Sequence, residues 1–319
     1  MVATPGFSSL QRACPGFKHH YALLDCAIDN CIYPAIKGSG HWHQCLYRNT
    51  DEVLEKVAPH VVSLKAGGFC DWLFSEGWGQ SWGIYIASDK NLVEILRHFR
   101  QVNKVRGPGL ENWLFRYYDP RILRDFLPSS DGTQQYLLMG SIGPLWMESE
   151  DGQYAVKFDR GPAQLRIENR DWEGVVSAQR QYPQVAGEGD ASSILRIRQD
   201  QVQLLAKTAY RAFVRMLVGD MQRCYPKRLA AYDNTVLYRR IDQALQTFRS
   251  MGVKKRQDGY YCVEMCVLMG WDFMESASYG VIRRDFLENI ALGDLSQRVE
   301  AAFQYCKDNV FNTEAPKLL

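Results

Sequence analysis

EGWGQSWGIYI, residues Glu76–Ile86, sets three glycines and two tryptophans between a helical pattern and a strand pattern. Upstream, Phe69, Trp72 and Leu73 fall at helical spacing, and Gly77 stands where a helix would stop in a left-handed cap. Gly79 offers a second positive φ. Gly83 lets another backbone or a large ring come close, and Ile84, Tyr85 and Ile86 continue as a strand. The order is therefore helix, glycine turn, strand. A phosphate-cradling loop has the opposite polarity, from strand through glycines into a helix N-terminus, so the stretch argues against nucleotide binding. Trp78 and Trp82 carry two readings: packing in or near the core with one partner for each N–H, and direct contact with a binding partner.

At 319 residues and 36.6 kDa the chain is long enough for two domains, each with its own core. A hydrophobic content of 46% with 23% charged residues fits a soluble globular protein. The formal net charge of +2 and pI of about 8.0 give no polyelectrolyte signature, so nucleic acid is not an expected partner. The nine cysteines include no CxxC pair and fit reduced thiols in a cytoplasm. The opening residues MVATPGFSSLQRACPGF have no basic stretch leading into an apolar core, and no later run approaches a membrane span; an unexported, soluble chain is expected.

Outward from the glycine turn, strand and helix patterns alternate at short intervals, which defines an α/β domain over residues 18–160 after a tail of residues 1–17. Tyr21–Ile28 is an apolar run fit for a buried strand, broken by Asp25. That acid reads either as a catalytic carboxylate or, more simply, as a cap of the next helical turn or the partner of a buried arginine. His41, His43 and Cys45 fall at alternate positions and would share one face of a strand, which makes them the best metal candidate, although no partner motif with ligand spacing accompanies them. Leu92, Leu96 and Phe99 mark an amphipathic helix. Leu114–Tyr118 is strand-like, and Asp119–Pro120 predicts a helix start with the acid as N-cap and the proline at N1. Gln134–Met139 predicts a helix, and Leu145–Glu148 with Tyr154–Phe158 a hairpin around Asp151 and Gly152.

YALLD at Tyr21–Asp25, EGWGQSWGI at Glu76–Ile84 and LFRYYDPRIL at Leu114–Leu123 together resemble the type VI secretion adaptor/chaperone family called Tap or TEC. The resemblance covers roughly the first half of the chain. It implies a non-enzymatic protein of the bacterial cytoplasm that binds a toxic effector and helps load it onto the VgrG spike, with no cofactor and no catalytic residue to carry over. The matching positions are Asp25, Glu76, Trp78 and Trp82 in the turn, Arg116, Tyr118, Asp119 and Arg121, as interface or as scaffold. On the strand expected there, Arg116 would bury its guanidinium and need an acid beside it, with Asp25, Glu76 and Asp119 as the candidates. The competing class is a hydrolase or metal enzyme using Asp25, Glu76 and Asp119 or the His41, His43, Cys45 face.

Residues 161–193, including VAGEGDASS at Val185–Ser193, lack sustained periodicity and are expected to form a linker or long loop. Residues 194–319 read as an all-α domain. Val202, Leu205, Ala209, Ala212, Phe213, Met216 and Leu217 form one apolar face; Val236–Met251 repeats the pattern up to Gly252, Tyr260–Met269 is apolar almost all round, and Leu295–Phe311 closes the series. Cys262 and Cys266, four apart, read as small core residues rather than ligands.

Overall fold

Strand β1 (His19–Asp25) is buried at every position after the first, and β4 (Gly83–Ser88) at every position. A strand covered on both faces has no reason to alternate polar with apolar residues, which is why YALLD and GIYIA read as continuous apolar runs. The computed structural model describes residues 6–161, 164–183 and 194–311. By contact density the chain divides into Met1–Ala209 and Tyr210–Leu319.

In the first unit, β1 and β4 are joined by β2 (His43–Cys45), β3 (Pro59–Ser63), β7 (Leu145–Glu148), β8 (Ala155–Arg160), β9 (Gln164–Arg170) and β10 (Val176–Pro183). They form one sheet in the order β10-β9-β8-β7-β4-β1-β3-β2. Every pairing in it is antiparallel. A separate two-stranded ribbon pairs β5 (Lys104–Arg106) with β6 (Asn112–Leu114).

Helices cover both faces of the central strands. On one side lie α1 (Phe7–Ala13), α2 (Ile32–Gly38) and α4 (Gly68–Gly77), whose Phe7, Leu10, Ile32, Ile36, Leu73 and Phe74 pack on Ala22, Leu24, Tyr85 and Trp146. On the other lie α5 (Leu92–Gln101), α6 (Pro120–Ser129) and α7 (Gly132–Met139). Their Ile95, Phe99, Leu123, Phe126 and Leu138 pack on Tyr21, Leu23, Ile84, Ile86 and Leu145. Helix α3 (Glu52–Val57) differs in burying no residue: Val53, Leu54 and Val57 are all exposed.

The expected α/β unit is therefore present, with two corrections to its borders. The supposed N-terminal tail includes α1, which buries Phe7, Leu10 and Ala13. The supposed linker contributes β9 and β10, joined by a turn in which Asp171 Oδ1 accepts from the N–H groups of Glu173 (3.0 Å) and Val175 (2.8 Å). β10 is an edge strand whose residues from Val176 to Gln181 are all exposed, so neither face offers the alternation that reveals a strand. Val185–Ser193 lies outside the described residues. The hairpin around Asp151 and Gly152 forms as expected, pairing Glu148 with Ala155 and Leu145 with Phe158.

The C-terminal region is helical: α8 (Gln199–Cys224), α9 (Pro226–Leu229), α10 (Asn234–Ser250), α11 (Arg256–Met269) and α12 (Leu295–Cys306), with π-helical turns at Ile282–Leu287 and Lys307–Phe311. The unit division falls inside α8. Phe213, Val214, Leu217 and Met221 pack with Leu237, Ile241 and Val263, whereas Met216, expected on the apolar face, is 47% exposed. Cys262 and Cys266 are core residues, and Cys306 Sγ lies 3.8 Å from the sulfurs of Met265 and Met269. Burial pushes the thiols of Cys266 and Cys306 up to about 12, which leaves them protonated and inert.

Candidate functional site

The three stretches that sequence reading singles out meet at one end of the central strands. β1 ends at Asp25, opposite Pro59 of β3, and the preceding Leu24 pairs with Gly83 of β4. The Asp25 N–H donates to the Trp82 carbonyl at 2.8 Å, and its Oδ1 accepts from the Ala27 N–H at 3.1 Å, turning the chain out of the sheet. Gly83 is required because a Cβ there would overlap the Leu23 carbonyl oxygen and lie 3.0 Å from Leu24 Cα. Gly77 serves a purpose other than the left-handed cap expected of it. It is the last residue of α4, and a Cβ would meet the Trp82 ring, with Cζ3 at 2.9 Å. The positive φ angles fall later, at Gly79 (+85°) and Ser81 (+60°).

Glu148, at the end of β7, holds this turn. Its carboxylate accepts from the N–H groups of Gly79 (2.6 Å) and Ser81 (2.8 Å) and from Ser81 Oγ (3.0 Å). Burial raises its pKa even against these bonds and the nearby Arg124 charge. Arg124 in turn donates to the Glu148 carbonyl at 2.7 Å. Nothing in the sequence near Glu148 marks it, because its partners lie about 70 residues away.

Trp78 is half-buried, donates its Nε1–H to the Gly152 carbonyl at 2.8 Å, and packs against Trp146 (4.8 Å between centroids) and Trp172 (5.0 Å). Trp82 is 5% exposed and lies on Trp72. Both therefore sit in the packed aromatic layer, and the exposed tryptophan of this unit is Trp42, at 54%.

The third stretch follows β6, which ends at Leu114, so Phe115–Tyr118 is not the strand expected there. Asp119 caps α6 through its bond from the Arg121 N–H (2.9 Å), with Pro120 at N1, as the dipeptide predicts. Arg121 also grips this carboxylate through Nε (2.9 Å) and Nη2 (2.7 Å). Arg116 donates through Nη2 to Asp25. Its acid partner is among those anticipated, but its side chain is 43% exposed rather than buried among aromatics. Burial pulls the pKa of Arg116 down, yet the charge and hydrogen bond of Asp25 outweigh it and leave it above the ordinary value. That of Arg121 is raised, foremost by its bond to Asp119. Tyr118 shares a 2.9 Å hydrogen bond with Tyr47, and burial together with that bond raises its pKa.

Glu76 stands apart from this cluster, exposed at the end of α4, where it accepts a long bond from Ser75 Oγ (3.4 Å). The three acids of the competing enzyme reading are thus not brought together. Nor do His41, His43 and Cys45 converge on one point: His41 Nδ1 faces the Ser63 carbonyl (2.9 Å), His43 Nδ1 faces the His41 carbonyl (3.0 Å), and Cys45 is buried. Among the described residues no group of three or more His, Cys, Asp or Glu side chains is arranged to hold a metal ion.

On that face the sequence missed His60, which is fully buried between Tyr33 of α2 (5.4 Å, edge-on) and His43 of β2 (6.1 Å, stacked). Among the described residues neither ring nitrogen has a hydrogen-bond partner. Burial, reinforced by His43 and Lys37, pushes its pKa down to about 4 from an ordinary 6.5. The folded state therefore disfavours the proton. The penalty is absent above pH 6.5, grows as pH falls toward about 4, and reaches about 2 kcal/mol near pH 5. Urea unfolding at pH 7.5 and pH 5 should show this loss, and His60→Phe should remove most of it. An unchanged acid limb in that variant would assign the effect to other groups, such as His20 and His98, whose pKa values burial also lowers.

Residues 20–136 match a family described as a domain of unknown function, DUF4123. The match takes in β1 to β6 and ends within α7, so it includes all three converging stretches and stops before Glu148. No curated protein and no solved structure matches the chain. Among the described residues no helix is long and apolar enough to cross a membrane.

Proposed function

We propose that this chain is a binding adaptor without chemistry of its own, which holds a type VI secretion effector in the bacterial cytoplasm and helps load it onto the VgrG spike. The observation that carries this reading is that the stretches resembling the adaptor family gather at one end of the sheet, where Asp25 and Asp119 are engaged internally while Glu76 stays exposed. Asp25 is taken by Arg116 and Ala27, and Asp119 by Arg121. To act as an acid or base, either carboxylate would first have to give up a guanidinium partner. What the site offers outward is a fixed surface, which suits recognition. The matched domain encloses all three stretches, which is consistent with their acting as one unit.

The test is effector delivery. With the full-length tagged chain purified from its own cells, one effector should accompany it in near-stoichiometric amount, and that effector should be less soluble in cells lacking the chain, because a chaperone stabilises what it binds by mass action. Delivery should fall with the chain's removal and return with its re-expression. Undiminished delivery without the chain would end the adaptor reading.

A further inference from the structure

At the convergent end of the sheet, acids and guanidiniums differ sharply in exposure. The side chains of Asp25 and Asp119 are 2% and 5% exposed, whereas those of Arg116 and Arg121 are 43% and 34% exposed. Each carboxylate grips part of its arginine from below: Nη2 of Arg116, and Nε with Nη2 of Arg121. Nε and Nη1 of Arg116 and Nη1 of Arg121 make no hydrogen bond among the described residues. The two arginines sit on one short segment, braced by the bond from the Asp119 N–H to the Arg116 carbonyl (3.0 Å) and by the start of α6. Arg124, one turn further along, is engaged instead with the Glu148 carbonyl.

We propose that Arg116 and Arg121 form a docking point for a carboxylate of a protein partner, an Asp or Glu side chain received by N–H groups that the two guanidiniums leave without a bond among the described residues. This deepens the adaptor reading, on which it rests, by naming the chemistry that the bound protein must present here. The planar guanidinium fork matches a carboxylate, and before a partner arrives the buried aspartates already hold Arg121 through two nitrogens and Arg116 through one, which lowers the side-chain freedom lost on binding. The same aspartates cancel the charge of the pair, and the chain as a whole carries only +2. The site therefore lacks the long-range field that a nucleic-acid backbone exploits and acts at hydrogen-bond range.

A phage-displayed library of random dodecapeptides, selected on the full-length chain, tests this while the natural partner is still unidentified. Selected peptides should share an acid whose replacement by the matching amide weakens binding on the order of tenfold. Arg116→Lys and Arg121→Lys keep the charge and a donor for the buried aspartate but lose the fork. Each should weaken the parent peptide to a similar degree, while the amide peptide binds parent and variant alike. Unchanged melting temperatures would keep the comparison free of folding effects, and Arg121→Lys, whose aspartate retains the backbone N–H of position 121, guards against a misfolded Arg116→Lys. Selection of peptides with no required acid, lysine variants that bind as the parent does, or retention on a short DNA duplex in place of peptide would each overturn the assignment. The outcome is separable from the adaptor reading. Normal effector delivery by both lysine variants, in cells where loss of the chain abolishes delivery, would sink the docking point alone; a required acid in the selected peptides of a chain that delivers nothing would sink only the adaptor role.

Discussion

Gly83→Ala is expected to cost about 4 kcal/mol or more and to leave the sheet-bearing unit largely unfolded. The added methyl would enter the space of the Leu23 carbonyl oxygen. Relief by sliding is closed off, because β1 and β4 are paired from His19↔Ser88 to Leu24↔Gly83 and both are packed under helices on either face. Gly79→Ala provides the contrast. That residue has φ of +85° and open space around its Cβ direction, so its cost is the conformational one, about 1 kcal/mol. Urea unfolding followed by far-UV circular dichroism would rank the two. A Gly83→Ala protein within about 1 kcal/mol of the parent would mean that β1 and β4 do not approach as closely as described.

Arg116→Ala is expected to destabilise by about 3 kcal/mol, the low end for breaking a buried ion pair. The penalty lies with Asp25, whose side chain is 2% exposed and would keep only the Ala27 N–H as partner. Arg116 is half in water, so its own share of the attraction is screened and the full range is not expected. Asp25→Asn should therefore cost less, about 1 kcal/mol, since the freed guanidinium can be hydrated. Paired denaturation curves at neutral pH would read the asymmetry. Equal losses below about 1 kcal/mol would reduce the pair to a surface bridge.

Features governed by neighbours along the chain are legible in the sequence itself. Asp119–Pro120 carries its own capping geometry, the Asp151–Gly152 hairpin its own turn, and β1 its own burial. What escapes a sequence reading depends on residues far away in the chain. Whether Phe115–Tyr118 continues β6 depends on a neighbouring strand, and β5 pairs only as far as Leu114. Glu148 is an unremarked acid until β7 is placed beside β4, and His60 looks like any strand residue until α2 covers it. Of the candidate site, the chemical types are legible; which side chains face inward is not, because exposure is a property of the assembled layers.

The join between β4 and β7 bears on how this unit folds. Its ladder has only two register pairs, Tyr85↔Trp146 and Ile86↔Leu145, against six between β1 and β4 and six between β8 and β9. The two edges are separated in sequence by α5, α6 and α7, so each half of the sheet can assemble locally, while their meeting must bear the entropy of closing a long loop. With so little backbone pairing, the join relies on side chains: Trp146 against Trp78 and Tyr85, and Glu148 over Gly79 and Ser81. The glycine–tryptophan turn thus acts as a clasp between two ribbons. Of its two indoles, Trp78 gains Trp146 and the Gly152 carbonyl only when the halves meet, whereas Trp82 lies on Trp72 of the same half, so Trp78 fluorescence is the signal expected to report that nonlocal step of folding.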